Sequence, residues 1–205
     1  MYKIAICGKA NSGKNTTANL ILQELAVIKN KESLISETVA FADPIKEIIL
    51  KMFPQKAHKD FLYGRSELRA LEIPDTINVN GDPLTYRQIL IDIGTMARKY
   101  NPNIWVECFD FTYKNILSKN NILKQFGQET EALVVSDLRF KEELEYLKKE
   151  NFFLIKLYRD EVTKINHASE TQQDGFSDND FNYIIYNNKT LQDLRQQVRE
   201  IAQQI

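Results

Sequence analysis

The chain has 205 residues, of which 43% are hydrophobic and 27% charged, and this composition suits a single globular domain over residues 1–205 with a continuous core. Its 27 Lys and Arg residues nearly balance its 28 Asp and Glu residues, so no global field attracts the chain to nucleic acid or to an anionic membrane. The two cysteines give no disulfide framework, and no apolar run approaches the ~20 residues of a membrane span. We therefore expect a cytoplasmic protein without nucleic-acid or membrane partners. The composition also allows a small appended subdomain.

The amino-terminal segment is typical of a strand, a glycine-rich loop and a helix in succession. Apolar residues 4–7 predict a short strand, and apolar residues recur at helical spacing from residue 18 to residue 28. The loop between them has the pattern G-x-x-x-x-G-K, which binds phosphate when it joins a strand to a helix. We assign nucleotide-phosphate binding to these residues: Gly8, Ala10, Asn11, Ser12, Gly13, Lys14, Asn15, Thr16 and Thr17.

Each part of this loop has a chemical role. Gly8 and Gly13 can adopt backbone angles that a Cβ forbids, which lets successive N–H groups turn towards phosphate oxygens at the positive end of the helix. Lys14 adds a cation that reaches the β- and γ-phosphates. Asn15 occupies the position where a hydroxyl residue usually follows the lysine, so Thr16 is the candidate Mg²⁺ ligand. The alternative is a chance glycine turn, and the position between strand and helix favours the phosphate loop.

The rest of the chain alternates between strands and helices. The patterns predict strands at 36–41, 133–137, 152–158 and 183–186, a helix that begins at residue 43, and helices at 84–100, 105–117, 139–150 and 190–205. Residues 54–83 are polar and interrupted by Gly and Pro, which indicates a partly helical, mobile excursion, and residues 159–180 have the composition of a flexible flap. This alternation predicts an α/β fold with a parallel sheet of about five strands and helices on both faces.

Ligands of such sheets bind beyond the carboxyl ends of the strands. We therefore expect the glycine-rich loop, Asp43, Asp137 and the segment at Arg159 to meet at one edge. Asp137 ends an apolar strand, where phosphate-loop enzymes keep a carboxylate that contacts magnesium directly or through water. The structural alternative for Asp137 is a cap on the helix that follows.

Arginine side chains are the candidates for stabilising transferred phosphate, because the charge of a loose transition state spreads over the equatorial oxygens. Arg87, Arg98, Arg139 and Arg159 lie near predicted strand ends or on helices beside the expected cleft, although a single arginine is more often a solvated surface charge. Arg65 and Arg69 fit surface charges of the excursion better. Trp105 could stack on a base, but an aromatic residue at helical spacing more often belongs to the core.

Six segments of the chain form a recognisable set. They read GKANSGKNTTA at 8–18, FADPIK at 41–46, LTYRQIL at 84–90 followed by Gly94, Thr95 and Arg98, NIWV at 103–106, VVSDLRF at 134–140 and HASE at 167–170. Together they resemble the phage-type deoxynucleoside monophosphate kinases, a branch of the phosphate-loop nucleotide kinases. The resemblance spans most of the chain and implies a three-layer sandwich with mobile acceptor-binding (54–83) and lid (159–180) segments.

The resemblance implies transfer of the γ-phosphoryl group of ATP to a deoxynucleoside 5′-monophosphate, for DNA precursor synthesis. On this interpretation Lys14, Arg139, Arg159 and Asp137 are catalytic, and Thr16 and Asp137 hold Mg²⁺. The residues implied to bind the acceptor are Asp43, Lys46, Arg87, Thr95, Arg98 and Trp105. The resemblance also makes a homodimer plausible, and it implies the host cytoplasm as the location if a phage encodes the chain.

Two alternatives stay open at this point. The loop, the proline-lysine segment at 44–46 and the Ser-Asp-x-Arg strand end at 136–139 are also similar to animal-type phosphomevalonate kinase, whose acceptor is another small phosphate monoester. The second alternative is a nucleotide-hydrolysing switch that uses the same loop. The sequence has no Asn-Lys-x-Asp guanine-reading motif, which disfavours a GTP switch.

Overall fold

The structure is a computed structural model that describes residues 1–160 and 172–205. The described chain divides into two compact units. Unit 1 combines Met1–Phe41 with Phe109–Ile205, and unit 2 is Ala42–Cys108.

Unit 1 contains a sheet of five parallel strands. The strands are β1 (Tyr2–Gly8), β2 (Ser36–Thr38), β5 (Ala132–Leu138), β6 (Phe153–Tyr158) and β7 (Tyr183–Tyr186), in the spatial order β2-β5-β1-β6-β7. Every adjacent pair is parallel. The predicted α/β fold with a parallel five-stranded sheet is therefore confirmed.

The register of the central strands decides where the site residues lie. Cys7 of β1 pairs with Leu138 of β5, and Gly8 pairs with Leu157 of β6. Because these strands are parallel, the loop after β1, the segment after β5 and the segment after β6 all leave the sheet at one edge. Within unit 1, the glycine-rich loop, Asp137 and the segment at Arg159 therefore lie at one edge, while Asp43, which was expected there too, belongs to unit 2.

Apolar side chains bury the sheet on both faces. One face packs against helix α1 (Lys14–Ile28) and the carboxyl-terminal helix α7 (Leu191–Ala202). The core of this face comprises Ile4, Ile6, Val134, Ile155 and Ile185 from the sheet, Ile21 and Leu25 from α1, and Leu194, Val198 and Ile201 from α7. The intervening strand residues, such as Ala5, Leu133, Val135 and Leu154, are buried as well. This burial on both faces explains why β1 and β5 read as continuous apolar runs.

Unit 2 is built from helices and a small hairpin. It contains α2 (Asp43–Met52), α3 (Lys59–Tyr63), a 3₁₀ turn (Ser66–Ala70), the antiparallel strands β3 (Glu72–Ile77) and β4 (Pro83–Thr85), and α4 (Tyr86–Tyr100). Helix α5 (Ile104–Leu123) begins in this unit, and α6 (Lys141–Lys149) belongs to unit 1. The sequence predicted helical parts for residues 54–83 but not the hairpin.

Candidate active site

Two residues give the loop its left-handed backbone, Asn11 with φ 60° and Gly13 with φ 103°. The sequence predicted this role for Gly8 and Gly13, and the structure corrects the assignment of Gly8. Gly8 is the last residue of β1 and lacks a positive φ, but a Cβ at Gly8 would lie 2.8 Å from Ser12 Oγ and 2.9 Å from the carbonyl oxygen of Leu157. Glycine is therefore required at position 8 because a side chain has no room there, and at position 13 because the backbone is left-handed.

Lys14 is the first residue of α1, and its side chain lies against the loop. Its Nζ donates to the carbonyl oxygens of Gly8 and Lys9, each at 2.6 Å. The ammonium group is thus placed at the loop together with the positive end of α1, which the backbone N–H groups of the first turn create. Cation and helix end are the elements that an anionic ligand requires.

The hydroxyl groups of this segment differ in their surroundings. Thr17 is buried and its Oγ1 donates to the carbonyl oxygen of Gly13 at 3.0 Å, whereas Thr16 is exposed. Ser12 is 1% exposed, and its Oγ has no hydrogen-bond partner among the described residues. A buried hydroxyl without a partner is costly for a fold, which makes Ser12 a candidate for contact with a ligand.

Asp137 lies at the end of β5 and is half-buried. Its Oδ1 accepts a hydrogen bond from the backbone N–H of Phe41 at 3.0 Å, in the segment that follows β2. The carboxylate therefore has a structural partner at the carboxyl edge. It offers oxygen ligands of the kind that Mg²⁺ prefers.

Arg139 follows β5 at the same edge. Its backbone N–H donates to Oε2 of Glu143 at 2.8 Å, and Phe140 donates to the same oxygen at 3.0 Å, so the buried Glu143 carboxylate caps α6. This arrangement gives to Glu143 the capping role that the sequence offered as the structural alternative for Asp137.

The pKa of the Cys7 thiol depends on its burial and on the charged groups at this edge. Burial raises the pKa of Cys7 to about 12, whereas the positive charges of Lys14, Lys156 and Arg139 act to lower it. The thiol is therefore protonated at neutral pH, and its Sγ donates to Oε1 of Gln173 at 3.6 Å. Cys7 is therefore not a nucleophile, and the charged groups that act on its thiol are the cations Lys14, Lys156 and Arg139 and the carboxylate of Glu143.

Arg159 directly follows β6 and its side chain is exposed. Half of the flap expected at 159–180, residues 161–171, lies outside the described residues, and so does the HASE segment at 167–170. Where the described chain resumes, Lys156 holds it to the sheet: its buried Nζ donates to the carbonyl oxygen of Phe176 and to Oδ1 of Asp178, both at 2.8 Å.

The candidate acceptor residues lie in unit 2, where α2 begins with a charged pair. Lys46 is only 8% exposed, its Nζ donates to Oδ1 of Asp43 at 2.8 Å, and it lies 4.4 Å from the ring centroid of Tyr63. A cation in the first turn opposes the helix dipole, and its burial costs solvation free energy. Burial and the hydrogen bond to Glu47 raise the pKa of Tyr63.

Three of the arginines of unit 2 donate hydrogen bonds to backbone carbonyl groups. Arg87 Nη2 donates to Ser66 at 2.9 Å, Arg98 Nη1 to Gly94 at 3.3 Å, and Arg69 Nε to Leu62 at 3.2 Å. All three of these arginines are half-buried, whereas Arg65 is exposed, so Arg69 is less exposed than Arg65 within the excursion at 54–83.

Trp105 and Thr95 differ in exposure. Trp105 is 4% exposed in the core of unit 2, and its indole N–H donates to the carbonyl oxygen of Gly94 at 3.1 Å. Thr95 is exposed on α4. The indole thus occupies the core position that the sequence gave as its structural alternative, while the assignments of both residues to acceptor binding stay predictions.

Asn187 contacts the loop, and sequence reasoning missed it. Asn187, directly after β7, donates from Nδ2 to the carbonyl oxygen of Ser12 at 2.8 Å. The rule that found Asp137, a polar residue at the carboxyl end of a strand, would have found Asn187 as well.

None of the described helices combines the length and the apolar character that crossing a membrane requires.

Comparison with known proteins places the chain in a family. A dephospho-CoA kinase structure from Campylobacter jejuni aligns with a TM-score of 0.40 and 15% identity, covering 98% of this chain and 95% of that chain. A protein of Acanthamoeba polyphaga mimivirus that carries the provisional name of deoxynucleotide monophosphate kinase is 26% identical over 208 residues, which cover 97% of this chain and 94% of the relative. The family model for deoxynucleotide monophosphate kinase matches residues 64–198. Because this match covers more than half of the 205 residues, the chain belongs to the deoxynucleotide monophosphate kinase family and is a kinase.

Proposed function

We propose that this kinase transfers the γ-phosphoryl group of ATP to a deoxynucleoside 5′-monophosphate, which yields ADP and the deoxynucleoside diphosphate. In the reaction an oxygen of the acceptor's phosphate forms a bond to the γ-phosphorus, and the bond from that phosphorus to the bridging oxygen of ADP breaks. Membership of the family supports the class of acceptor. The proposed substrates are both small molecules.

The loop after β1 is the observation that carries this proposal. It combines the left-handed residues Asn11 and Gly13, a Lys14 ammonium held at the loop, and a buried Ser12 hydroxyl without a partner among the described residues. A chain of phosphates would accept hydrogen bonds from the loop amides and from Lys14. The proposal assigns this site to the triphosphate of ATP.

Mg²⁺ would be held by Thr16 and Asp137, together with the phosphates. Both side chains supply oxygen donors, Thr16 is exposed in the first turn of α1, and Asp137 ends a neighbouring strand. The bound ion would neutralise charge on the phosphates. Arg139 and Arg159 would stabilise the charge that spreads over the equatorial oxygens during transfer.

The proposed acceptor side is unit 2. A buried ammonium group is expensive, and Lys46 has one carboxylate partner, Asp43, within salt-bridge distance among the described residues. The phosphate of a monophosphate acceptor is a ligand that would compensate such a cation, and Arg87 and Arg98 carry planar guanidinium groups suited to the same phosphate. Thr95 would add a hydroxyl group and Trp105 would support the site from the core.

A coupled assay of ADP release tests the proposal. Wild-type protein is given ATP and Mg²⁺ with each of the four deoxynucleoside monophosphates, with their ribonucleotide counterparts, with mevalonate phosphate, and without acceptor. We expect release that depends strongly on a deoxynucleoside monophosphate. If mevalonate phosphate is the one acceptor that supports turnover, the acceptor is not a deoxynucleoside monophosphate. Slow ADP release that no monophosphate accelerates would indicate a hydrolytic switch.

A further inference from the structure

Asn187 joins the last strand of the sheet to the phosphate loop, which is 175 residues away in sequence. Its side-chain Nδ2 donates to the carbonyl oxygen of Ser12 at 2.8 Å. The same nitrogen lies 2.5 Å from the position that a Cβ on Gly13 would take, so the amide of Asn187 occupies the space that the glycine leaves. This close approach requires glycine at position 13, because any larger residue would place its Cβ against the amide of Asn187.

The contact fixes the orientation of one peptide unit of the loop. The carbonyl of Ser12 and the N–H of Gly13 belong to the same peptide, and no peptide bond of the described residues is cis. In a trans peptide the C=O and N–H groups point in opposite directions. When Asn187 holds the carbonyl of Ser12 on its own side, the N–H of Gly13 must point to the other side of the loop.

The backbone of Asn187 is itself fixed to the sheet. Its N–H donates to the carbonyl oxygen of Tyr158 at 2.8 Å, at the end of β6 and directly before Arg159. One residue therefore binds both the loop and the strand that leads to Arg159. A rigid anchor of this kind reduces the cost of ordering the loop when a ligand binds.

We propose that Asn187 is a positioning residue for the phosphate loop: it holds the carbonyl of Ser12 outward and thereby aims the N–H of Gly13 at the phosphates of the nucleotide. This inference rests on the proposed function, because it assigns those phosphates to ATP. Asn187 acts through the loop and does not itself contact the reacting atoms.

Two variants of Asn187 separate the hydrogen bond from packing. Asn187→Ala removes the side chain beyond Cβ, and Asn187→Leu keeps its approximate volume without a donor. Asn182→Ala and Asn182→Leu are the matched controls, since Asn182 precedes the other end of β7 and its Oδ1 accepts from the backbone N–H of Leu154 at 2.7 Å. Both sites lose one side-chain hydrogen bond to the backbone, but only Asn187 contacts the loop.

The first measurement is the affinity of each protein for inorganic tripolyphosphate by titration calorimetry, which requires no turnover. We expect both Asn187 variants to bind about tenfold more weakly than wild type, the effect of one well-placed hydrogen bond, and both Asn182 variants to bind like wild type. The KM for ATP should rise by a similar factor in the Asn187 variants while the KM for the monophosphate stays within about twofold of wild type.

The outcomes separate this inference from the proposed function. Tripolyphosphate affinities of the Asn187 variants equal to those of the Asn182 variants would overturn the positioning role, and so would a wild-type protein that does not bind tripolyphosphate. A wild-type protein that binds tripolyphosphate but phosphorylates no deoxynucleoside monophosphate would overturn the proposed function. If Asn187→Ala fails to fold, Asn187→Leu supplies the comparison.

Discussion

The carboxylate of Asp137 accepts a hydrogen bond from the backbone N–H of Phe41, with 3.0 Å between Oδ1 and the nitrogen. Asp137 therefore combines two properties, a structural bond to the segment after β2 and a negative charge at the carboxyl edge of the sheet. The two properties can be removed separately.

Asp137→Asn keeps an acceptor oxygen for Phe41 and removes the charge. We expect its free energy of unfolding to fall by about 1 kcal/mol, because a neutral acceptor replaces a charged one, and its activity to require a higher Mg²⁺ concentration. Asp137→Ala also leaves the N–H of the buried Phe41 without its carboxylate partner, which should cost about 1–3 kcal/mol. Denaturant titration and magnesium titration of the rate measure the two effects. An unchanged magnesium dependence in Asp137→Asn would leave Asp137 with the structural role alone.

Lys14→Met removes the ammonium group and keeps the length of the side chain. We expect kcat to fall by about 10²–10³-fold, the effect of losing one preorganised charge contact in a transition state. The free energy of unfolding should fall by about 1 kcal/mol, because the carbonyl groups of Gly8 and Lys9 lose their donor.

Lys9→Met is the control for Lys14→Met. Lys9 lies in the same loop, but its ammonium forms an exposed ion pair with Asp174 at 3.0 Å. An exposed pair contributes little, so we expect Lys9→Met to retain most of the activity. Equal kcat values for the two methionine variants would refute the role of Lys14.

Gly13→Ala tests the close approach of Asn187 to the loop. Alanine at φ 103° is strained by roughly 1–2 kcal/mol, and its Cβ would lie 2.5 Å from Nδ2 of Asn187. Gly127→Ala is the control, because Gly127 has φ 62° and nothing lies within 4 Å of its Cβ position. We therefore expect Gly13→Ala to lower the melting temperature more than Gly127→Ala. The double variant Gly13→Ala/Asn187→Ala should recover part of the lost melting temperature. No recovery would show that the new Cβ does not clash with Asn187.

The parts of the fold with strong local signals were predictable from the sequence. Strand β1, the loop and α1 combine glycine spacing with apolar periodicity, and β5 is an apolar run that ends at Asp137. Local pattern was sufficient there because both strands are buried on both faces, which requires continuous apolar residues.

The remaining features depend on long-range contacts or on weak local patterns. The hairpin of β3 and β4 contains Pro74, Gly81 and Pro83. Gly and Pro residues at such spacing predict a loop, although the two strands do pair in the structure. The sequence places Asn187 at the end of an apolar strand, but its partner Ser12 is 175 residues away, so no local pattern predicts which residue it contacts. The role of Gly8 was predicted as conformational, but the restriction comes from space beside Leu157 on the neighbouring strand.

Arg87→Ala should act on the acceptor. Arg87 is half-buried and its Nη2 donates to the carbonyl oxygen of Ser66 at 2.9 Å. We expect the KM for the monophosphate to rise about tenfold or more, as the loss of one charged hydrogen bond predicts, with little change in the KM for ATP. Arg65→Ala, at an exposed position one residue before Ser66, is the matched control and should resemble wild type. A rise confined to the KM for ATP would move Arg87 to the donor side.

Asp178 should give the stability of unit 1 a dependence on acidic pH. Hydrogen bonds from Lys156 and Tyr158 lower the pKa of Asp178. Its charged form is therefore stabilised by folding, and this stabilisation is complete above the ordinary Asp pKa of about 3.9 and is lost as the pH falls through the lowered pKa of the folded state.

Asp178→Asn removes this dependence. At pH 7 the variant should melt at a lower temperature than wild type, because the buried Lys156 loses its negatively charged partner while its hydrogen bond to the carbonyl oxygen of Phe176 at 2.8 Å is kept. The difference between the two melting temperatures should stay constant from pH 7 to pH 5 and shrink below about pH 4, where Asp178 of the unfolded wild-type chain begins to bind protons. Asp174→Asn, which removes the exposed partner of Lys9, should melt close to wild type throughout. Thermal melts across this range measure the effect, and a difference that persists unchanged below the lowered pKa would show that the charge of Asp178 does not stabilise the fold.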